Sequence, residues 1–220
     1  MRGMAKRTLE PTATERVYAA TKARILDGRL GGGELISEGD VAADVGVSRT
    51  PVREAFLRLE SEGLLRLYPK RGALVVPVSA AEVEDVMETR LVVERFAVER
   101  LGRAEPPLLE ALERSIARQE RCVARGDERA FVEADRELHR LLVAATGNEI
   151  LLALHDSLRD RQSRMGLAAL SHDADRARQI LDEHRALVRA LAAGDGTAGE
   201  LMAAHLAGTR ALLRGRPDAG

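Results

Sequence analysis

The chain has 220 residues, of which 45% are hydrophobic and 31% are charged. These values are ordinary for a protein with one or two folded domains, and they exclude wholesale disorder. No apolar stretch approaches the roughly 18 residues that a membrane-spanning helix needs, and the polar, basic amino end lacks the apolar run of a secretory signal. The single cysteine, Cys122, excludes an internal disulfide. We therefore expect a cytoplasmic protein without a membrane partner.

Charge is unevenly distributed along the chain, although the formal net charge is only −1. Residues 1–78 contain 13 Lys and Arg against 10 Asp and Glu, whereas residues 79–220 contain 21 against 25. A basic first third and an acidic remainder predict two units with different partners. Aromatic residues make up 2% of the chain, which argues against a protein that stacks the bases of single strands.

The amino-terminal third has the pattern of short helices followed by a hairpin. After a flexible tail over residues 1–13, we predict a domain over residues 14–78. A helix is predicted over 14–28, and after a glycine-rich turn two short helices follow, broken at Gly46. Two β-rich runs, LLRLYP and GALVVPV, are separated by Lys-Arg-Gly at 70–72, which is typical of a hairpin. Two short helices, a turn and a hairpin together predict a winged helix-turn-helix domain.

The second of the two short helices carries the residues expected to bind DNA. Ser48 or Thr50 can cap its amino terminus, where hydroxyls and free N–H groups also suit a phosphate. Arg49 and Arg53 are four residues apart and so share one face of the helix. An arginine pair at the leading end of a recognition helix can donate to guanine O6 and N7 in the major groove. The alternative is a small helical domain whose arginines are merely solvated.

The hairpin is the second element expected to reach DNA. Lys70 and Arg71 at its tip can contact the adjacent minor groove or the backbone. The segment 36–76, and SRTPVREA within it, resembles the winged helix-turn-helix of GntR-type bacterial transcription regulators. The resemblance implies that the arginine pair contacts operator DNA and that the wing around Arg71 and Gly72 contributes. This chain departs from many relatives at Gly39, where they carry an arginine.

Residues 79–215 are predicted to form an all-α bundle of six helices. Ser79 and Glu82 fit a capping box at the start of the first helix, which runs to about Leu101. The further helices are predicted near 106–125, 128–146, 149–170, 173–193 and 196–214, with a tail over 216–220. Antiparallel helices joined by such short loops form a bundle with its own core.

One carboxylate and three imidazoles fall on the apolar faces of the predicted bundle helices. Asp135 and His139 are four residues apart, whereas His184 and His205 lie among apolar residues of the last two helices. Buried ionisable groups are costly unless they are paired or bind a metal. This set of donors favours a divalent metal such as zinc, with nickel, manganese or iron as alternatives. Alternatively the histidines are hydrogen-bonded core residues; His155 lacks an acidic residue four positions away and is not assigned to the site.

Two arginines occupy positions where the apolar stripe of their helix predicts a leucine. Arg90 lies on the first bundle helix, one turn before Glu94, and Arg161 lies on the stripe of the helix predicted over 149–170. A buried guanidinium binds a carboxylate or phosphate through two parallel hydrogen bonds, so both arginines are predicted to contact an anionic effector. Alternatively, Arg90 pairs with Glu94 and Arg161 extends to the surface.

The bundle also resembles a known family, the FCD effector-binding domain of the FadR-like branch of GntR regulators. The segments that carry this resemblance are ETRLVVERFAVERL, DRELHRLLVAATGN, DEHRALVRALAAGD and AAHL. The resemblance implies that the acid and the three histidines named above hold a divalent metal and that a small organic acid binds beside it. It also implies a homodimer, which suits inverted-repeat operators because a two-fold protein meets two-fold DNA.

Together these features predict a metabolite-responsive transcription regulator, of the repressor type, that binds double-stranded operator DNA and is not an enzyme. One alternative is a regulator for which the metal itself is the signal. Another is a metal-dependent hydrolase or lyase fused to a DNA anchor, because a metal with open positions can activate water. Against an enzyme, Asp135 is used as a ligand and Glu94 is the one candidate that the pattern leaves as a general base.

Overall fold

The structure is a computed structural model that describes residues 11–170 and 175–214. The chain divides into two compact units, residues 1–77 and 78–220. The described residues are mainly helical with one small sheet, which confirms the predicted fold class. No helix among them is long and apolar enough to cross a membrane. Most of the tail predicted over 1–13, the tail at 216–220 and the helix start predicted at 173 lie outside the described residues.

The described residues of the first unit form three helices and three strands. They are α1 (Ala13–Leu26), β1 (Leu35–Ile36), α2 (Glu38–Val45), α3 (Arg49–Ser61), β2 (Leu65–Tyr68) and β3 (Gly72–Val75). A capping box opens α1, because Thr12 and Glu15 accept each other's backbone N–H, and left-handed Gly46 ends α2. The apolar faces of the helices and the sheet enclose one core, whose fully buried members include Val17, Val52, Phe56, Leu59 and Leu65.

The sheet has one more strand than the sequence predicts. β3 lies in the centre and pairs antiparallel with both β1 and β2. β1 is only two residues long and follows a glycine-rich turn, so the sequence contains no β-rich run that would predict it. Its approach to the wing depends on Gly72, which has φ +100°, and a Cβ there would overlap the carbonyl oxygen of Ile36. The wing is therefore anchored by a contact that the sequence pattern does not reveal.

The second unit is a bundle of helices. They are α4 (Ala80–Leu101), α5 (Pro106–Arg125), α6 (Glu128–Ala144), α7 (Glu149–Ser157), α8 (Arg159–Leu170), α9 (Arg176–Ala193) and α10 (Ala198–Arg214). The single helix predicted over 149–170 is thus two helices that meet at Leu158. The Leu158 N–H donates a hydrogen bond to the His155 carbonyl, and the Leu158 side chain is buried. Neither glycine nor proline marks this break, so the sequence gives no sign of it.

The interior of the bundle is not apolar throughout. The main core is formed by side chains of α4, α5, α6, α9 and α10, among them Leu112, Leu138, Leu142, Leu191 and Met202. The polar side chains buried beside it include a group from six helices: Arg90, Glu94, Gln119, His139, His155, His184 and His205. Such a group is costly in a protein interior unless its members satisfy one another or a ligand.

Candidate metal centre and nucleic-acid interface

The structure brings together the acid and the three histidines singled out in the sequence. Asp135 and His139 come from successive turns of α6, His184 comes from α9 and His205 from α10. One donor atom of each lies within 4.8 Å of the others. The three imidazoles are at most 5% exposed, whereas Asp135 is partly exposed. We call these four side chains the metal cluster.

Each imidazole of the metal cluster has a polar oxygen behind it. The Nδ1 atoms of His139, His184 and His205 lie 2.7 Å from Glu94 Oε2, 2.8 Å from Gln119 Oε1 and 2.5 Å from Glu183 Oε2, respectively. The His139 Nδ1 and Glu94 Oε2 atoms are close, but their angle does not meet the geometry of a hydrogen bond. An acceptor at Nδ1 favours the tautomer that carries its proton there, so the lone pair of each Nε2 is left for the centre of the metal cluster.

The distances across the metal cluster fit a divalent metal. The Nε2 atoms of His139 and His184 are 3.3 Å apart, and an Asp135 oxygen lies 3.9 Å from the first and 3.6 Å from the second. Two lone pairs that face each other at this distance repel unless a cation lies between them. Metal–nitrogen bonds of about 2.0–2.1 Å separate neighbouring ligand atoms by about 2.9–3.4 Å. The donors therefore have the chemistry and nearly the spacing that a metal requires.

Burial keeps the imidazoles of His184 and His205 in the neutral form that binds metals. Burial, together with repulsion from His205 and His139, holds the pKa of His184 well below its usual value. Burial also lowers the pKa of His205, although Glu183 opposes the change. A neutral imidazole is the ligating form, so proton competition with a metal is weakened.

Glu94 connects the metal cluster to two further side chains. Its carboxylate accepts from Arg90 Nε at 2.7 Å and lies 3.3 Å from His155 Nε2. Burial alone would raise the pKa of Glu94, but Arg90 and His139 hold it well below its usual value. Glu94 is thus an ionised group that orients an arginine and an imidazole, and it does not have the raised pKa of a general base.

Sequence reasoning missed the residues behind the metal cluster. His155 was set aside because no acid lies four positions away, yet its partner Glu94 lies on another helix. The sequence pattern does not single out Gln119 or Glu183. Gln119 lies on the buried stripe of α5 together with Leu112 and Ser115, so a polar residue at an apolar position was the signal that could have found it.

A cavity adjoins the metal cluster, and one of the two predicted effector arginines lines it. Arg90 shares this cavity with Asp135 and His205, although its guanidinium is already paired with Glu94. The prediction that Arg161 faces inward is wrong, because its side chain is 49% exposed and ion-pairs with Glu82.

The break between α7 and α8 explains the error at Arg161, because it changes the phase of the apolar stripe and places Gln162 in the interior instead.

The capping box predicted for α4 is only half formed. The Ser79 hydroxyl accepts a hydrogen bond from the Glu82 N–H, which is the first bond of the box. The Glu82 carboxylate, which would make the second bond, pairs with Arg161.

In the first unit, most of the predicted DNA-binding residues of α3 and the wing line one groove. Arg49 and Arg53 of α3 line an open groove together with Lys70, Arg71 and Gly72 of the wing. Ser48 occupies the N-cap position of α3 and makes no capping bond through its side chain, and Thr50 is exposed in the first turn; neither lines the groove.

Contacts from α2 hold the two arginines of α3. Arg53 Nε donates to Glu38 at 2.8 Å. The Arg49 guanidinium lies beside Gly39, where an added Cβ would be at van der Waals distance, 3.4 Å, from Arg49 Nη2. The groove therefore presents a positioned arginine pair beside a basic wing tip, an arrangement suited to the major groove of DNA.

Comparison with protein families decides which class of protein combines these two units. Residues 13–75 match the family model "Bacterial regulatory proteins, gntR family", and residues 85–208 match the model of the FCD domain. The chain belongs to the GntR family. It is a GntR regulator with an FCD domain, as the resemblance implied: the helix-turn-helix binds DNA and the FCD domain serves a small-molecule effector.

Relatives of this GntR regulator include known repressors. It is 30% identical over 185 residues to the gluconate operon transcriptional repressor of Bacillus licheniformis, covering 82% of this chain and 76% of the relative. It is 29% identical over 205 residues to the repressor RspR of Escherichia coli K12, covering 90% and 88%. These relatives are transcriptional regulators and not enzymes, so the predicted class is confirmed and the hydrolase alternative is not supported.

Solved structures share the whole architecture. A transcriptional regulator GntR from Rhodococcus sp. RHA1 superposes with a TM-score of 0.76 at 26% identity, over 93% of this chain and 98% of the other. McbR/YncC of E. coli gives a TM-score of 0.71 at 24% identity over the same shares, which supports the fold alone.

Proposed function

We propose that this GntR regulator is a repressor whose affinity for operator DNA is controlled by a small organic acid bound beside a divalent metal. The observation that carries the proposal is the metal cluster: three imidazoles, each with an oxygen close to Nδ1, gather around one carboxylate, with one donor atom of each residue within 4.8 Å of the others. Three nitrogen donors and one oxygen donor favour zinc, and nickel, manganese and iron are the alternatives.

The effector site combines the metal cluster with the adjoining cavity. Asp135, His139, His184 and His205 would hold the metal, which when bound supplies open coordination positions for a carboxylate. Arg90, fixed by Glu94, would present its guanidinium to the effector from the cavity wall. Effector binding would then change the relative orientation of the two units about the linker near residues 77–80.

DNA recognition is assigned to the groove of the first unit. Arg49 and Arg53 would read guanines in the major groove, while Lys70 and Arg71 would contact the minor groove or the phosphates. Ser48 and Thr50 at the amino terminus of α3 suit a phosphate, since the Ser48 hydroxyl caps no helix N–H. Gly72 would contribute by fixing the shape of the wing.

The regulator is proposed to act as a homodimer through α4 and α7. Four large apolar side chains are exposed there: Val92, Phe96, Ile150 and Leu154, with Ile150 82% exposed. The two helices pack side by side through the small core around Val93 and Ala97, so the exposed residues can form one face. A second copy on this face would give the two-fold symmetry that an inverted repeat requires.

The test is DNA binding measured by gel shift on the intergenic DNA upstream of the gene. Zinc-loaded and chelator-treated protein are each titrated with and without candidate organic acids, and occupancy of the site is checked separately by calorimetry. We expect the acid to change operator affinity only when zinc is present. An acid that occupies the cavity without changing operator affinity would refute the switch. A response to metal alone would favour the metal-sensing alternative.

A further inference from the structure

Two buried hydrogen-bond donors in the effector cavity have no partner in the protein. Arg136 of α6 and Gln162 of α8 both line this cavity, together with the cluster residues Asp135 and His205. Arg136 Nε and Gln162 Nε2 are inaccessible to solvent, and neither is hydrogen-bonded within the part of the chain that the structure describes. Buried polar groups are nearly always satisfied, so two orphan donors on one cavity wall indicate a missing acceptor.

The other arginines buried in the bundle form ion pairs with carboxylates, although Arg176 Nε, like Arg136 Nε, has no hydrogen-bond partner among the described residues. Arg90 binds Glu94, and Arg176 binds Glu183. By contrast, half-buried Arg136 forms no ion pair with a carboxylate of the described residues. Burial and the nearby charge of Arg159 lower the pKa of Arg136, whereas Glu94 raises that of Arg90. A guanidinium stays protonated in proteins, so Arg136 is a charge that no carboxylate of the described residues contacts directly, although the charges of Asp135, Glu133 and Asp160 act on it from further away.

Arg136 also lies where the cavity meets the surface. It lines an outer cleft with three further arginines and three acids: Arg118, Arg140, Arg159, Glu133, Glu137 and Asp156. Within this cleft Arg140 pairs with Asp156, and Arg118 pairs with Glu133. An anion that enters through the cleft would therefore meet Arg136 before it reaches the metal cluster.

We propose that Arg136 and Gln162 bind a second carboxylate of the effector, so that the regulator responds to a short dicarboxylate rather than to a monocarboxylate. The inference rests on the proposed function, because the first carboxylate would bind at the metal cluster. Both orphan atoms are donors, which selects a carboxylate oxygen over an amine or amide N–H. The cavity is small, about 30 Å³, and this favours a short chain.

The test compares acids that differ only in the second carboxylate. Binding of succinate and butyrate to the zinc-loaded full-length protein is measured by calorimetry, with malonate and glutarate as the length series and gluconate as a hydroxylated monocarboxylate. We expect succinate, or the best member of the series, to bind about tenfold to a hundredfold tighter than its monocarboxylate counterpart, the range for a charged hydrogen bond.

Variants then assign this preference to the two residues. Arg136→Gln should bring the ratio of the two affinities close to one, because it weakens the binding of succinate much more than the binding of butyrate. Gln162→Glu should also abolish the preference, because it places a negative charge where the second carboxylate binds. Arg140→Gln is the matched control: it lies one turn further along α6 and lines the cleft but not the cavity, so it should keep the ratio. Zinc content and thermal midpoint confirm that each variant is folded.

The outcomes separate this inference from the proposed function. Equal affinities of the wild type for each dicarboxylate and its monocarboxylate counterpart would overturn the inference while the acid-responsive regulator stands. A preference that survives in Arg136→Gln or in folded Gln162→Glu would overturn it as well, and so would gluconate binding tighter than any dicarboxylate. Failure of every acid to bind the zinc-loaded protein would overturn both.

Discussion

Gln119 offers a direct test of the metal centre, because it contacts a proposed ligand without being one. Its side chain is completely buried on α5, and its Oε1 accepts from His184 Nδ1 at 2.8 Å. Its amide donates only weakly, at 3.5 Å to Ser115 Oγ and 3.4 Å to the Ala134 carbonyl. Gln119→Leu therefore removes mainly the bond that selects the tautomer of His184.

The expected loss follows from that single bond. Removing the oxygen behind a ligating histidine should lower zinc affinity about tenfold to a hundredfold, or about 1.4–2.8 kcal/mol. The same change leaves a buried Nδ1–H without an acceptor, so the zinc-free protein should also lose about 1–3 kcal/mol of unfolding free energy. His184→Ala, which removes the ligand itself, should lower zinc affinity by at least as much.

The assay is zinc competition against a chromophoric chelator, with unfolding in denaturant measured on the zinc-free protein. Gln119→Glu is the control, since it keeps an acceptor at the same place and should retain much more of the zinc affinity than Gln119→Leu. If folded Gln119→Leu bound zinc as tightly as the wild type, the tautomer argument would be wrong. If the wild type bound no zinc, nickel, manganese or iron, the metal site itself would be wrong.

Three further predictions concern the first unit. Arg49→Ala should weaken binding to the operator by about 1–3 kcal/mol and binding to random DNA by much less, as measured by fluorescence anisotropy; equal losses would make Arg49 a phosphate contact. Gly72→Ala should destabilise the first unit by about 1–3 kcal/mol and weaken operator binding, with zinc affinity unchanged, since φ is +100° there. Burial would raise the pKa of Glu62, but the hydrogen bond from Lys22 lowers it below its usual value. The resulting stabilisation exists above the unfolded-state pKa and is lost as pH falls through the folded-state pKa. Glu62→Gln should therefore cost about 1 kcal/mol at neutral pH, with a difference from wild type that vanishes in acid; a difference that persists in acid would contradict this.

The ligands of the candidate metal site could be found from the sequence because helical periodicity determines them. Asp135 and His139 are one turn apart on one helix, and His184 and His205 lie on apolar stripes, so local spacing was enough to turn all four inward. The oxygens behind the imidazoles follow no such rule. Glu94 lies 45 residues before His139, and that contact depends on how two helices pack, which periodicity does not specify.

The errors at Arg161 and β1 have a related cause. The apolar stripe that includes Arg161 is predicted for one continuous helix. The sequence around Leu158 contains neither glycine nor proline, so nothing in it predicts the break. β1 is too short to carry a β-rich pattern, and it exists because β3 offers a free edge and Gly72 allows close approach. In both places tertiary contacts determine the local structure, and local propensity predicts it poorly.

The charges buried in the bundle fall into two balanced pairs. Arg90 neutralises Glu94, and Arg176 neutralises Glu183, while burial lowers the pKa of His205, the imidazole that Glu183 contacts. Each pair thus sets the position of a ligand without adding net charge to the site. Any further charge in the cavity must come from the remaining ionised groups.

Two ionised groups of the cavity are left over, Asp135 and Arg136. A divalent metal held by Asp135 and neutral imidazoles would carry one uncompensated positive charge, and Arg136 carries another. Because unbalanced charge in a buried site is expensive, a ligand that neutralises both is favoured over one that neutralises the metal alone. A monocarboxylate leaves Arg136 unpaired, whereas a dicarboxylate satisfies the metal and the guanidinium together. Charge balance and the orphan donors therefore lead independently to an effector with two negative charges.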